Sequence, residues 1–422
     1  MKTVVRLGRK SNKRLAFSKH DLAKMSLDSR AEVIQALIPL GLMVVGEELQ
    51  REVTALVGKR YHHTGGSRSY YRWGEQGGSV YLLDQKVPVE YPRVRDVRKN
   101  QEVPLSIYRR LQAPRHADAG LMLKLLRGLS CRSYEACAET VPGVFGLSGS
   151  TVSRRFIKAS AKALAQLGER DLSGYDFVAL FIDGKSFAED GIIIALGVTM
   201  QGEKVILGFV QAGTENERVC GEFLERLVAR GLCYEKGLLC VIDGSKGLRA
   251  AIRRAFGGYA TVQRCQWHKR ENVVSYLPKS QQAVVRKKLQ RAYAQPTYEG
   301  AKAALCKIGQ ELRIINRSAE ASLEEGLEET LTLHRLGLFA VLGTSFKTTN
   351  CIESLMAQVG QRTDKVDYWK HSDQKQRWVA AALLDIEPRL RKVKGYRSLP
   401  LLRSALQAEI QKVEAQHQKE AA

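Results

Sequence analysis

The sequence predicts an α/β protein built around a mixed five-stranded sheet. Short apolar runs rich in β-branched residues, separated by Gly-containing connections, predict the strands. These strands cover 177–183, 191–200, 204–213, 238–244 and 260–268. Apolar spacing near 3.6 residues predicts one helix over 216–232 and another over 245–257. Three antiparallel strands followed by helix, strand, helix and strand is the order of an RNase H-like core, in which the first and fourth strands are neighbours.

The segments after the sheet predict a helical insertion that divides this core. Residues 269–344 are rich in Lys, Gln, Ala, Glu and Leu, so we expect helices almost throughout. A new helix is predicted within 348–366. The expected catalytic domain therefore comprises 171–268 and 345–390. Residues 391–422 are expected to form a basic and then polar C-terminal tail.

The first 170 residues predict a basic region followed by a helix-turn-helix. Residues 1–115 combine a small helical lead-in over 1–60 with a β-hairpin over 71–98. Within 116–170, two helices, a turn containing Pro and Gly, and a third helix opened by a Ser or Thr cap predict DNA binding. An ordinary helical hairpin is the alternative. The residues expected to reach a DNA groove are Thr151, Ser153, Arg154, Arg155 and Lys158.

The distribution of charge favours a nucleic-acid partner. The net charge is +23, and the first 170 residues carry 30 Lys and Arg residues against 15 Asp and Glu residues. Such an excess attracts polyanions and gives salt-dependent affinity. A basic surface kept for solubility is the alternative. An anionic membrane surface is less favoured because no basic amphipathic helix stands out.

Three further observations bear on the compartment. No apolar run approaches the roughly 20 residues that span a bilayer. The basic N-terminus has no apolar segment behind it, unlike a secretory signal. Eight cysteines are scattered without a CxxC pair, which favours reduced thiols over a disulfide framework. We therefore expect a soluble cytoplasmic protein with no membrane partner.

Three carboxylates occupy positions where chemistry is expected. Asp183 ends the first predicted strand, Asp243 ends the fourth, and Glu353 lies in the first turn of the helix after the insertion. Because the first and fourth strands are predicted neighbours, Asp183 and Asp243 should lie side by side. Clustered acids repel one another unless a cation holds them. Two Mg²⁺ ions about 3.5 to 4 Å apart can bind the attacking and leaving oxygens of a phosphoryl displacement.

Each acid also has a purely structural interpretation. Asp183 with the following glycine could form a hairpin turn. Asp243 or Ser245 could cap the next helix. Asn350 and Glu353 fit a capping box. Other acids that remain alternatives or a fourth ligand are Glu189, Asp190, Glu215 and Glu217.

The motif QRCQWHKREN contains a second group of candidate residues. Cys265 and His268 do not predict structural zinc, because such a site needs four ligands and this is one pair. We expect them at the end of the fifth strand beside the acids, where His268 could donate to a scissile phosphate or a flanking base. Trp267 could stack on an unpaired base or fill space in the core.

Taken in order, these motifs resemble those of the Mutator-like DDE transposases of bacterial insertion sequences. The resemblance is carried by the strand ending in Asp183, by LGVTMQGEKVILGFVQAG, VIDGSKGLRAAI and VQRCQWHKRENVVSYLP, and by TTNCIES. It covers roughly 120–370, and the hairpin over 71–98 is also similar to the family. Ser354, where many relatives have a basic residue, and SFAEDG after Asp183 depart from the commonest pattern.

The resemblance implies an RNase H-like transposase with Asp183, Asp243 and Glu353 as its metal-binding triad. Cys265 and His268 match the family's Cys-x-x-His element. The implied cofactor is Mg²⁺, as two ions, with Mn²⁺ as a substitute. The implied partner is double-stranded DNA, as terminal inverted repeats and target, bound by a homodimer or higher oligomer in the nucleoid of a bacterial cytoplasm. A nuclease or resolvase on the same core, or a DNA-binding regulator that has lost catalysis, are the alternatives.

Overall fold

A computed structural model describes residues 3–6, 14–17, 44–61, 69–82, 85–112, 117–134, 148–213 and 216–421. The chain divides into two compact units, Met1–Ala159 and Ser160–Ala422. Within the described ranges, every helix is too short or too polar to cross a lipid bilayer.

The first unit contains antiparallel strands and helices. Its strands are β1 (Thr3–Arg6), β2 (Arg14–Phe17), β3 (Tyr70–Leu82), β4 (Gln85–Asp96) and β5 (Glu102–Val103). Its helices are α1 (44–57), α2 (Ser106–Gln112), α3 (Ala117–Leu126) and the start of α4 (Gly149–Gly168), which continues into the second unit. The hairpin predicted over 71–98 is confirmed as β3 and β4. The lead-in predicted as helical over 1–60 also contains the hairpin of β1 and β2.

A single face of α1 forms the core of the first unit. Its valines and leucine recur every four residues, which places them on one side of a helix. They pack with three valines of the β3–β4 hairpin, Val80, Val87 and Val94. These helical core residues are Val45, Leu49, Val53 and Val57.

The second unit contains the predicted mixed five-stranded sheet. Its strands are β6 (Phe177–Phe187), β7 (Asp190–Thr199), β8 (Lys204–Ala212), β9 (Leu238–Ile242) and β10 (Ala260–Arg264). The order across the sheet is β10-β9-β6-β7-β8. The β6–β7 and β7–β8 pairs are antiparallel, whereas β9 is parallel to both β6 and β10. The first and fourth strands of the sheet, β6 and β9, are therefore neighbours as expected.

Helices cover both faces of this sheet. Helix α5 (Glu217–Ala229) and helix α6 (Lys246–Phe256) confirm the two predicted between strands, and they pack with Leu180 and Ile182 of β6. Because side chains alternate along a strand, Phe181 faces the opposite side. There it stacks on Phe346, with ring centroids 5.5 Å apart.

The chain from Gln266 to Phe346 is helical and has its own apolar core. Its helices are α7 (Gln266–Ser275), α8 (Lys279–Tyr293), α9 (Tyr298–Ile315), α10 (Arg317–Glu324), α11 (Leu327–Thr330), α12 (Thr332–Arg335) and α13 (Phe339–Phe346). The fifth strand ends at Arg264, so the strand expected over 260–268 is too long by four residues. Cys265 instead caps α7.

The last helices return to the sheet. They are α14 (Asn350–Thr363), α15 (Ser372–Ile386) and α16 (Leu399–Ala421), with short 3₁₀ turns at Gly257–Tyr259, Glu387–Arg389 and Tyr396–Ser398. Helix α14 confirms the prediction over 348–366. The tail expected over 391–422 is mostly α16, which contacts β6 and β9. Buried leucines on one side of α16 explain why it packs there.

Candidate active site

The end of the parallel pairing between β6 and β9 brings the first two acids to one edge of the sheet. Ile182 and Ile242 are paired partners in parallel strands, so Asp183 and Asp243 follow them side by side. Strand β6 does not end at Asp183 as expected, because residues 183–187 continue to pair with β7. The turn of this hairpin lies at Ala188, whose φ is 52°. The interpretation of Asp183 as a hairpin-turn residue is therefore wrong.

Asp183 is a buried carboxylate without a hydrogen-bond donor. Its side chain is 1% exposed, and neither oxygen accepts a hydrogen bond from the described residues. Burial raises the pKa of the Asp183 carboxyl to about 7, the charge of Asp243 adds to the rise, and Lys185 and Thr349 oppose it. Such an environment disfavours the charged form unless a cation is nearby.

Asp243 lies in a tight turn between β9 and α6. Its Oδ1 accepts a hydrogen bond from the Ser245 amide at 2.9 Å, and the Ser245 hydroxyl caps α6 by accepting from the Leu248 amide. Gly244 has a φ of 111°, and a Cβ there would lie 2.0 Å from Nε of Arg264. Only glycine fits this position, and the capping role predicted for Ser245 is confirmed.

Glu353 reaches out of α14 toward the sheet edge. The N-cap of α14 is Thr349, which makes no side-chain capping bond, so the alternative interpretation of Asn350 and Glu353 as a capping box is wrong. Instead, Oε1 of Glu353 lies 3.7 Å from Nζ of Lys185 and 3.4 Å from Nε2 of His268. The Glu353 side chain therefore faces the same edge as Asp183.

Cys265, Trp267 and His268 lie at the start of α7 rather than in the fifth strand. The Cys265 amide donates to the Ile242 carbonyl at 2.7 Å, and its Sγ accepts from the His268 amide as the helix cap. Trp267 is 40% exposed, so it does not fill the core. The first turn of α7 thus begins directly beside the end of β9.

His268 is held between Thr349 and Glu353. Its Nδ1 lies 3.3 Å from the Thr349 hydroxyl. Burial lowers the pKa of His268, Lys185 adds to this, and Asp243 and Glu353 oppose it. The contacts with Thr349 and Glu353 fix the orientation of the imidazole between α7 and α14.

Lys185 links the acids electrostatically. Its ammonium lies 3.4 Å from Oδ2 of Asp183 and 3.7 Å from Oε1 of Glu353. Burial acts to lower the pKa of Lys185, but the charges of Asp183, Glu353 and Asp243 outweigh it and raise that pKa. In the part of the chain that the structure describes, no three His, Cys, Asp or Glu side chains are grouped closely enough to form a metal cluster.

The alternative acids lie elsewhere or are already paired. Asp190 is bound by Lys375 at 2.5 Å and by Gln211 at 2.8 Å. Glu189 is exposed, and Glu217 is exposed at the start of α5. Glu215 lies outside the described residues. The geometry therefore favours Asp183, Asp243 and Glu353 as the set that faces one edge.

Comparison with known proteins identifies the family. The sequence matches the family model for transposases of the Mutator family over residues 12–391. The chain belongs to this family. The transposase for insertion sequence element ISRM5 of Rhizobium meliloti (strain 1021) is 27% identical over 376 residues, which cover 86% of this chain and 89% of that relative. The transposase for IS256 in transposon Tn4001 of Staphylococcus aureus is 27% identical over 73% of this chain and 77% of its own length.

A third relative has a higher sequence identity to this chain over a shorter aligned region. The transposase for IS1081 of Mycobacterium tuberculosis (strain ATCC 25618 / H37Rv) is 31% identical over 257 residues, or 59% of this chain and 60% of its own length. The Mutator-family resemblance seen in the sequence motifs is thereby confirmed.

Two residues that lie beside the three acids are absent from the sequence-based prediction. Lys185 stands two residues after Asp183 on the same strand, a spacing that places both side chains on one face. That spacing is visible in the sequence. Thr349 is fully buried beside His268, but its role depends on where α13 ends and α14 begins. Only the folded chain reveals that contact.

The basic residues predicted to bind DNA lie on α4. Arg154 and Lys158 are exposed, whereas Thr151 and Ser153 are half-buried. The Arg155 guanidinium lies 5.3 Å from the centre of the Tyr81 ring, so it packs on β3. The second helix expected for a helix-turn-helix, SYEACAET over 133–140, lies outside the described residues from 135 onward, and so does the turn expected over 141–147.

Proposed function

We propose that this Mutator-family chain is an insertion-sequence transposase that binds the terminal inverted repeats of its element, cleaves DNA there and joins the freed 3′-hydroxyl to target DNA. The observation that carries the catalytic part is Asp183, a buried carboxylate that accepts no hydrogen bond from the described residues, directly after the last pair of β6 and β9. It shares the Lys185 ammonium with Glu353. Family membership supports the DNA substrate. The strand order supports an RNase H-like core.

The donor set fits a divalent metal. Asp183, Asp243 and Glu353 offer carboxylate oxygens, which are the hard ligands that Mg²⁺ and Mn²⁺ prefer. Neither buried oxygen of Asp183 accepts a hydrogen bond from the described residues, and the Lys185 ammonium lies 3.4 Å from Oδ2. When bound, a pair of such ions activates the attacking oxygen and stabilises the leaving 3′-oxygen of a phosphodiester. No serine or tyrosine nucleophile is required.

The side chains around the acids hold Glu353 in position and line a cleft that suits DNA. His268 donates toward Glu353 while Thr349 fixes the imidazole. A cleft of about 580 Å³ is lined by residues that include Lys185, Phe187, Met356 and Trp369. Phe187 and Trp369 suit stacking on DNA bases, and the Lys185 ammonium suits a phosphate. Trp267, exposed beside His268, offers a further stacking surface.

The proposed assembly follows from the reaction. Bringing two element ends together requires a homodimer or higher oligomer on DNA. Such a protein works at the nucleoid of a bacterial cytoplasm. The net charge of +23 supports binding to DNA backbones.

A strand-transfer assay tests the proposed function. A pre-cleaved DNA end that carries the inverted repeat is incubated with the protein, Mg²⁺ and a supercoiled plasmid. A transposase joins the end to the plasmid, whereas a nuclease or resolvase cuts without joining. A DNA-binding regulator without catalysis does neither. Joined product that depends on Mg²⁺ supports the proposal, and its absence with an active end-binding protein contradicts it.

Replacing Arg154 and Lys158 by alanine is expected to weaken DNA binding with little change in sequence preference. Side chains that bind phosphates release counterions, so removing each one should reduce the slope of log affinity against log salt by about 1. The measurement is a fluorescence-anisotropy titration of an inverted-repeat duplex at several salt concentrations. Lys307→Ala removes one positive charge from an exposed site on α9 and should leave the slope unchanged. An unaltered slope in the double variant would remove α4 from the DNA interface.

His268→Ala is expected to lower the rate of DNA cleavage about 10- to 100-fold and to raise the Mg²⁺ concentration needed for half-maximal rate. The reason is that Glu353 loses the neighbour that orients it. His268→Gln keeps a donor and should recover part of the loss. His371→Ala, at an exposed site before α15, is the control. If the Mg²⁺ dependence of His268→Ala matched that of the wild type, His268 would have no positioning role.

A further inference from the structure

Lys185 occupies the space between two carboxylates that are expected to bind metal. Its Nζ lies 3.4 Å from Asp183 and 3.7 Å from Glu353, and Asp243 is close enough to act on its charge. The position follows from the strand period, because residues 183 and 185 project from the same face of β6. Glu353 meets this face because α14 packs against β6.

In the absence of metal, the Lys185 ammonium supplies the positive charge beside the buried Asp183 carboxylate. Asp183 is buried with no hydrogen bond to either oxygen, and an isolated buried carboxylate is costly. Asp243 increases that cost because like charges repel. Among the described residues, Lys185 forms ion pairs with both Asp183 and Glu353. A cation bound at the same acids would compete with it.

We propose that Lys185 is the resident counter-ion of the metal-free site: its ammonium offsets part of the negative charge of Asp183 and Glu353 and leaves this position when Mg²⁺ binds. This inference rests on the proposed function, since it assumes that these acids hold the metal. It adds that Mg²⁺ binding competes with an internal lysine, which weakens the apparent metal affinity. The site therefore remains organised before metal and DNA arrive together.

The surroundings allow the lysine to move while the strand stays in place. The backbone of Lys185 is held by its pairing with Ile192, but its side chain is 26% exposed. The side chain also borders the cleft that runs past Ser186 and Met356. A rotation of its flexible stem moves the ammonium into this cleft without a change in the sheet.

A Mg²⁺ titration of Lys185→Met tests the inference. The full-length protein is freed of metal with EDTA and desalted, and its melting temperature is followed as MgCl₂ is added. Without metal, Lys185→Met should melt below the wild type, because Asp183 has lost its counter-charge. With metal, its half-saturating Mg²⁺ concentration should be lower on the order of tenfold, as expected for removing a close competing charge.

Two control variants separate local competition from a change in net charge. Lys236→Met removes a lysine paired with Asp176 at 3.9 Å, before β9 and thus at the opposite end of that strand from Asp243. It should leave the half-saturating Mg²⁺ concentration unchanged. Lys185→Arg keeps a cation between the acids and should not bind Mg²⁺ more tightly. Circular dichroism of each metal-free variant at low temperature verifies the fold.

The outcomes distinguish this inference from the proposed function. If the wild type responds to Mg²⁺ and Lys185→Met responds at the same or a higher concentration, the counter-ion role is wrong while the metal site stands. If neither protein responds to Mg²⁺ or Mn²⁺, the proposed metal site fails and the counter-ion role fails with it. Tighter binding in Lys185→Met alone supports both.

Discussion

Asp183→Asn is expected to abolish DNA cleavage and strand transfer while leaving the binding of DNA ends intact. The carboxylate charge is lost at the most buried of the three acids, and a metal ion contributes several kcal/mol to the transition state of phosphoryl transfer. Since about 1.4 kcal/mol corresponds to tenfold, the rate should fall at least about 10³-fold. A gel assay of strand transfer from a pre-cleaved end measures the rate, and anisotropy measures end binding.

The fold of this variant should be preserved. Burial raises the pKa of Asp183 to about 7, so the folded protein disfavours the ionised form and the neutral amide should not lower the metal-free melting temperature. Glu189→Gln removes a charge from the exposed turn of the same hairpin and should keep the wild-type rate. Strand transfer by Asp183→Asn at a rate near that of the wild type would refute the assignment of Asp183, whatever the family membership.

The sheet that positions these acids is predictable from local pattern. The lengths of the five apolar runs, their connections and their content of β-branched residues together indicate strands. Their order along the chain places Asp183 beside Asp243 because β9 is parallel to β6. The side-by-side placement of the two acids that follow Ile182 and Ile242 is therefore predictable from the sequence.

The ends of the elements depend on contacts that sequence does not display. Gly184 and Lys185 are poor strand formers, yet they continue β6 because they pair with Ile193 and Ile192. Helix α7 begins at Gln266 because Cys265 caps it and because the Gln266 amide donates to the Lys347 carbonyl at 2.9 Å. That carbonyl lies some eighty residues further along the chain. Local propensity carries no information about such a partner.

The arrangement around Glu353 is the least predictable part of the site. A local capping box is consistent with the spacing of Asn350 and Glu353. In the folded chain, the competing attraction of Lys185 and the contact with His268 turn the Glu353 side chain toward the sheet. A tertiary charge interaction thus replaces the local one. The lysine that causes this is two residues from Asp183, and strand periodicity alone could have drawn attention to it.

The C-terminal segment contains a pattern that composition conceals. Its many polar residues suggest a tail, but Leu399, Leu402 and Leu406 recur at intervals of three and four, which is helical spacing. All three are buried. From the same helix, Arg403 donates to the carbonyls of Gly237 and Phe177, each at 2.7 Å. Helix α16 therefore packs against the sheet that bears Asp183 and Asp243.

Leu402→Ala is consequently expected to destabilise the second unit by about 3 kcal/mol, because apolar burial is reduced and a cavity remains. For a unit of this size, the melting temperature should fall by roughly 5 to 10 °C. The matched control is Leu401→Ala, in which the same change is made at a neighbouring side chain that is 59% exposed rather than 0%. It should change stability by less than about 0.5 kcal/mol. Thermal unfolding followed by circular dichroism makes the comparison, and equal melting temperatures for the two variants would mean that α16 does not pack on the sheet.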